Sequence, residues 1–166
     1  MIVKVHILKT LTHLNKLHAS CPNQGEAIFY SKLALIELCG WIEKSLDDIA
    51  RSCASRNLKN SANMDKVERE FIKDNHGFAY DNFRKMIFQI IGLINLEKIE
   101  KKLERRGIIG LLKSKLNTLK TERDTAAHTF IIGIMQTYPA PSLDLSEFKI
   151  IYNCLKEFET ELRKGY

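Results

Sequence analysis

The chain has 166 residues, of which 45% are hydrophobic and 28% are charged, and it carries a net charge of +6. These values are typical of one soluble globular domain and exclude a disordered or collagen-like chain. Only 8 glycines and 3 prolines are present, and because long helices need few such breaks, the composition favours an all-α fold.

Cysteine spacing and hydropathy indicate the cellular context. The four cysteines are scattered without a Cys-x-x-Cys pair (Cys21, Cys39, Cys53, Cys154), which predicts reduced thiols in a cytoplasmic protein. The longest stretch without Asp, Glu, Lys or Arg is 125–143. It contains a histidine and two prolines, so we do not expect it to span a membrane. Lys4 and Lys9 interrupt the first apolar run, so we expect no signal peptide.

Apolar residues recur at helical spacing, which predicts a single domain over 1–166 built as an up-and-down bundle of about five long helices. The predicted helices, with one short one among them, span 2–19, 25–54, 65–74, 79–105, 108–137 and 144–163. The stretch MIFQIIGLINL within 79–105 is apolar nearly all round, so this helix is expected to be central. Ser142 or Asp144 is expected to cap the last helix. The core is expected at about 25–137, with the terminal helices packed on it.

The excess positive charge lies in one segment. Residues 98–123 hold three acidic residues and nine basic ones (Lys98, Lys101, Lys102, Arg105, Arg106, Lys113, Lys115, Lys120, Arg123), and the rest of the chain has 17 residues of each sign. Two interpretations remain open, a solvated helix end and a face that binds a polyanion. On the second interpretation, Lys113, Lys115 and Lys120 are the candidate contacts to a polyanion such as RNA.

The stretch ERDTAAH, residues 122–128, places an arginine in the register that a helix normally buries. The apolar stripe of the helix predicted at 108–137 runs through Leu112, Leu116, Leu119, Arg123, Ala126 and Phe130. A charged side chain is costly to bury in a monomer. We therefore expect the stripe to face a symmetric partner across a cleft that admits water and phosphate, which predicts a homodimer.

The same stretch carries groups suited to phosphodiester chemistry. Arg123 and His128 lie about 140° apart around a helix, so they can flank one groove. A guanidinium binds phosphate oxygens in a bidentate manner, and an imidazole transfers a proton near neutral pH, with Asp124 placed to orient it. With the 2′-hydroxyl of RNA as nucleophile, cleavage needs no metal. By spacing alone, a salt-bridged surface pair is the more common explanation of an arginine and a histidine five residues apart.

The Arg123-x4-His128 pattern on the penultimate long helix resembles the R-x(4–6)-H motif of the HEPN superfamily. Asp124 directly after the arginine and Ala127 directly before the histidine are similar to the residues at these positions in that superfamily. Residues 32–46, KLALIELCGWIEKSL, look like its first core helix, including a glutamate after an aromatic residue. The resemblance covers roughly 25–137, and only the motif itself is specific.

This resemblance implies a metal-independent endoribonuclease without a cofactor, active as a homodimer with two motifs facing each other. Arg123 and His128 would be its catalytic residues, with Asp124 in a supporting role. Such proteins commonly act as toxins or in defence against phage, so an antitoxin or defence-system protein is a possible partner. In the branch paired with nucleotidyltransferase antitoxins, a tyrosine that is modified stands two residues after the histidine. This chain has Phe130 there, which makes silencing by that route doubtful.

Other polar residues suggest no second site. The histidines of the first helix lack the i, i+4 spacing of metal ligands, and the acidic residues of 25–54 read as a solvated face, with Glu43 near the site. The sequence therefore predicts no metal centre. Two other functions remain open: a non-catalytic helical module that binds RNA, nucleotide or a partner, and a helical scaffold without a nucleic-acid role.

Overall fold

A computed structural model describes residues 2–129 and 137–165. These residues form seven α-helices and one π-helical segment, with no strand among them. The helices are α1 Val5–Ser20, α2 Gln24–Asn57, α3 Ser61–Lys66, α4 Tyr80–Ile91, α5 Leu93–Glu104, α6 Ile108–His128 and α7 Pro141–Arg163, and the π-helical segment Val67–Lys73 continues α3. The all-α prediction is confirmed, whereas the predicted number of about five helices was too low.

Helix α2 is the centre of the bundle. It begins after Asn23, whose side-chain oxygen accepts a hydrogen bond of 2.8 Å from the backbone N–H of Glu26, and it contacts α1, α4, α6 and α7. Trp41 joins three parts of the chain, because its indole N–H donates to the backbone oxygen of Val3 and its ring lies 4.9 Å from that of Phe148. Trp41 therefore holds the N-terminal segment and α7 against α2.

The predicted helix 79–105 is two helices that meet at Gly92. Gly92 has φ 78° and ψ 160°, a backbone conformation essentially restricted to glycine, which ends α4 and begins α5. Three apolar residues around this break are exposed, Phe88 to 43%, Leu93 to 52% and Ile94 to 74%, whereas Ile87, Ile91 and Leu96 are buried. The prediction of one continuous central helix was therefore wrong, because the break turns part of the apolar run outward.

The last two helices differ from their predicted bounds. Helix α6 ends at His128, where Thr129 has an extended backbone, so the prediction of continuous helix through 129 was wrong. Its predicted remainder from Phe130 to 136 lies outside the described residues. Helix α7 begins at Pro141 with no side-chain cap, because proline supplies helical φ and needs no N–H partner at this position. The predicted cap was wrong: Asp144 is buried, at 1% exposed.

Two expectations about context can be compared with the described residues. None of the four cysteines, which all lie within the described residues, is in a disulfide. Among the helices of 2–129 and 137–165, none combines the length and apolarity that a membrane crossing requires.

The break at Gly92 predicts a specific glycine requirement. A β-carbon on Gly92 meets no atom within 4 Å, so Gly92→Ala adds backbone strain alone and should lower the free energy of unfolding by about 1–3 kcal/mol. Gly40→Ala is the matched control, because Gly40 lies inside α2 with equally open space, and alanine there should add about 0.5–1 kcal/mol. Urea denaturation measures both; equal effects would contradict the account.

Candidate functional site

Helix α6 positions the ERDTAAH stretch. It buries Leu112, Leu116, Leu119 and Ala126 against the bundle, and Arg123 follows in the same register one turn after Leu119. Ala126 is completely buried, so the helix packs closely beside the arginine. The register therefore directs Arg123 from α6 toward α2, as a residue of the apolar stripe.

The Arg123 side chain finds polar and aromatic contacts within the same chain. Its Nη1 lies 3.7 Å from Oε1 of Glu43 on α2, and its guanidinium carbon lies 5.4 Å from the centre of the Phe78 ring. The ring face attracts the cation, and the side chain remains 27% exposed. Glu43, the Phe78 ring and partial exposure to solvent thus stabilise this charge within one chain. The partner that was expected to face the stripe stays a prediction.

The guanidinium is nevertheless incompletely paired. Its Nε lies 2.9 Å from Oδ1 of Asp124, but the two are not aligned for a hydrogen bond, and Nε is buried without an acceptor among the described residues. The contact with Glu43, at 3.7 Å, is also too long for a hydrogen bond. Arg123 is thus held by ion pairs and a ring, with donor capacity left over.

Arg123 lies on the wall of an open cleft of about 480 Å³. The other residues around it come from α2, the π-helical segment, the turn after it, and α4: Glu43, Leu46, Asp47, Arg51, Glu68, Ile72, Lys73, Asn75, His76, Gly77 and Met86. Most of these residues were not predicted as site residues, because 67–77 meets α2 only in the folded chain. The turn that follows the π-helical segment contains Gly77, whose φ is 91°.

A second arginine in the cleft, Arg51, differs from Arg123 because its donors are in use. It makes two hydrogen bonds to Glu68, of 3.0 and 3.1 Å, and a third to Asp48, of 2.7 Å. The hydrogen bond from Arg51 lowers the pKa of Glu68 below its ordinary value. Arg51 therefore links α2 to the π-helical segment. Of the two arginines that line the cleft, Arg123 is the one without hydrogen bonds among the described residues.

His128 is the last residue of α6 and is exposed. It does not line the cleft with Arg123; the two are separated by about 7.5 Å along the helix axis and about 140° around it. Asp124 was predicted to orient His128, but its ion pairs in the structure are with two other residues. Its oxygens lie 2.9 Å from Lys120 Nζ and 2.9 Å from Arg123 Nε. The hydrogen bond from Lys120 is the main reason that the pKa of Asp124 is lowered, with smaller attraction from Arg123 and His128.

The three candidate lysines do not share one face. Lys113 is half-exposed, 3.9 Å from Asp81, and Lys120 pairs with Asp124 on the same side of α6. Lys115 lies about 160° around the helix from Lys113, where its Nζ is 2.7 Å from Glu147 of α7. Acidic residues of α5 and α7 also pair with Lys101, Lys102 and Arg106. Much of the positive charge of 98–123 is therefore neutralised within the fold.

Comparison with known families identifies the chain. The family model described as RiboL-PSP-HEPN matches residues 4–164, so the chain belongs to this HEPN family. The membership confirms the resemblance seen in the Arg123-x4-His128 pattern and indicates a nuclease-like or RNA-related function. No curated protein and no solved structure gives a significant match.

The incomplete pairing of Arg123 predicts that this residue is not needed for folding. Arg123→Met keeps an unbranched chain over Phe78 and removes a buried N–H that lacks an acceptor, so the free energy of unfolding should stay within about 1 kcal/mol of wild type or rise. Leu119→Ala, one turn earlier in the buried register, should cost about 2–5 kcal/mol. Thermal and urea unfolding compare them; losses of equal size would make Arg123 a structural residue.

Proposed function

We propose that this chain is a metal-independent endoribonuclease in which Arg123 binds the scissile phosphate and His128 transfers a proton. The observation that carries the proposal is a guanidinium with unused donors on the wall of an open cleft, in a chain of a HEPN family. A phosphate is the acceptor whose geometry fits a guanidinium fork. His128 stands within two turns of this group on the same helix.

The proposed reaction is an internal transphosphorylation. His128 takes the proton from the 2′-hydroxyl, the 2′-oxygen forms a bond to phosphorus, and the bond to the 5′-oxygen breaks. The leaving 5′-oxygen receives a proton, and the products carry a 2′,3′-cyclic phosphate and a 5′-hydroxyl. Arg123 stabilises the additional negative charge on the phosphorane oxygens. Glu43 and Asp124, which are partly exposed, hold the guanidinium in place until phosphate replaces part of their attraction.

The proposed reaction needs two proton transfers, and two chains can divide them because each supplies its own His128. We therefore propose a homodimer in which one His128 acts as base and that of the partner as acid. The exposure of His128 at the end of α6 supports this role, as does the HEPN membership.

The dimer is tested by sedimentation of the full chain at micromolar concentration. We expect a species of twice the 19.1 kDa protomer mass. Adding inactive His128→Ala chains to wild type should lower the activity more than the same dilution with buffer, because a mixed dimer holds only one of the two histidines that a cleavage uses. A monomer at all concentrations, or activity that follows the amount of wild type alone, would contradict the shared site.

Within the cell, we propose a toxin or phage-defence role in the cytoplasm, with an antitoxin or defence-system protein as partner. Expression of wild type should arrest growth, whereas His128→Ala should not. The second candidate function is a non-catalytic module that binds RNA, nucleotide or a partner. It is favoured by one observation, that His128 does not line the cleft with Arg123.

Cleavage assays separate these functions. His128→Ala should lose roughly 10²–10⁴-fold in rate, the usual contribution of one acid or base. Arg123→Ala should be similarly impaired, and Arg123→Lys should not restore activity, because an ammonium cannot make the bidentate contact. Asp124→Ala should have a milder effect. RNA that binds without being cut by wild type would favour the binding module.

Two further conditions test the proposed chemistry. Activity should survive EDTA, and an RNA with a 2′-O-methyl group at the cut site should resist cleavage. Cleavage of that modified RNA, or loss of activity that only an added metal restores, would contradict internal attack assisted by Arg123 and His128.

The proposed RNA contacts are the three lysines of α6, with unequal weights. Lys113→Glu and Lys120→Glu should weaken binding to RNA and reduce its salt dependence, because each removes a phosphate contact. Lys115→Glu is a matched charge reversal on the other side of the helix, which faces α7, so its effect should be smaller. Filter binding at two salt concentrations measures this, and equal effects would contradict a defined RNA face.

A further inference from the structure

A second, smaller pocket lies where α7 begins against α6. It has a volume of about 120 Å³ and shares no lining residue with the cleft of Arg123 among the described residues. Three carboxylates reach it, Glu122 from α6 and Asp144 and Glu147 from α7, and Lys115 is the basic residue among its lining groups. The rest of the wall is Thr118, Leu119, Pro139 and Leu143.

Asp144 is the deepest of these groups. It is 1% exposed, and its Oδ2 is buried without a hydrogen-bond partner in the described part of the chain. Burial, with added repulsion from Glu122 and Glu147, raises the pKa of Asp144 from 3.8 to about 7. A carboxylate in such a place is costly unless a donor or cation reaches it.

Glu147 repeats this pattern in the same pocket. Its Oε1 accepts a hydrogen bond of 2.7 Å from Lys115, but its Oε2 is buried and has no partner among the described residues. Burial also raises the pKa of Glu122. The neighbouring titratable group on α2, Cys39, stays neutral because burial raises its pKa to about 12. Three carboxyl groups therefore share one lysine.

We propose that this pocket binds an organic cation, a guanidinium or ammonium group, whose N–H donors pair with the free oxygens of Asp144 and Glu147. The volume of about 120 Å³ is several times what a single water needs, which leaves room for such a head group. Leu119, Leu143 and Pro139 suit a methylene stem behind it.

The geometry favours an organic cation over a metal ion. Among the residues described, no three His, Cys, Asp or Glu side chains come close enough together to hold a metal. A guanidinium or a primary amine carries several donors in different directions, so it can reach oxygens that one small ion cannot coordinate together. The first turn of α7 also stabilises an ionised Asp144 once a cation is bound. This site is independent of the proposed nuclease activity.

Calorimetric titration of the full chain with agmatine and with spermidine tests the proposal. Both probes stay cationic between pH 6 and pH 8, so a change in affinity over that range reports the protein. We expect binding at pH 8 that weakens at pH 6, where Asp144 is protonated. Asp144→Asn and Glu147→Gln should each weaken binding about tenfold or more, whereas Lys115→Met should tighten it by removing the competing cation.

The control is Asp65→Asn, the same change at an exposed position of α3, which should leave the affinity unchanged. Asp144→Asn should also fold, because the native pKa of Asp144 is raised: its stabilising proton is lost as the pH rises through about 7. An amide removes that dependence, and Glu147→Gln gives a second variant if folding fails. No heat at pH 8, unchanged affinity in both carboxamide variants, or Mg²⁺ binding with the same sensitivity would overturn the proposal.

Discussion

The charge of Arg123 must be stabilised although its register on α6 directs the side chain toward the core. Neighbouring side chains and partial exposure to solvent supply this stabilisation. Glu43 of α2 stands opposite the guanidinium, and the ring of Phe78, just before α4, lies against it. The turn that places Phe78 also completes the cleft. The segments that contact the guanidinium therefore also form walls of the cleft. The position of this cation and the presence of the cleft depend on the same packing.

Charge is distributed in two different ways around α6. On the cleft side, Arg123 has an N–H donor without a hydrogen-bond acceptor in the described part of the chain. On the α7 side, Asp144 and Glu147 each have a carboxylate oxygen without a donor among the described residues. Four of the nine basic residues between 98 and 123, Lys101, Lys102, Arg106 and Lys115, pair with acids of α5 and α7. Residues 98–123, despite their excess of lysine and arginine, therefore do not form a uniform basic face. The polar atoms that remain without partners are the ones available to bind ligands.

The sequence predicted the helical class, the family and the position of Arg123, because hydrophobic periodicity and a motif within one helix are local properties. It failed at Gly92, where one glycine changed the chain direction inside an apolar run. It also failed at Asp144, read as a cap but buried. The cleft residues Arg51 and Glu68 could not be predicted, because they meet only when the π-helical segment packs on α2. The roles of Arg123, Asp124 and His128 stay predictions.

NMR of the arginine side chains tests the central claim most directly, that Arg123 has free donors which a phosphate takes up. With an uncleavable 2′-O-methyl RNA, we expect the guanidinium signals of Arg123, assigned through Arg123→Lys, to shift, and its Nη–H protons to gain protection from exchange with water. The signal of Arg51, whose donors already bind Glu68 and Asp48 in the same cleft, should remain unchanged. RNA binding that leaves the Arg123 signal in place would contradict the account.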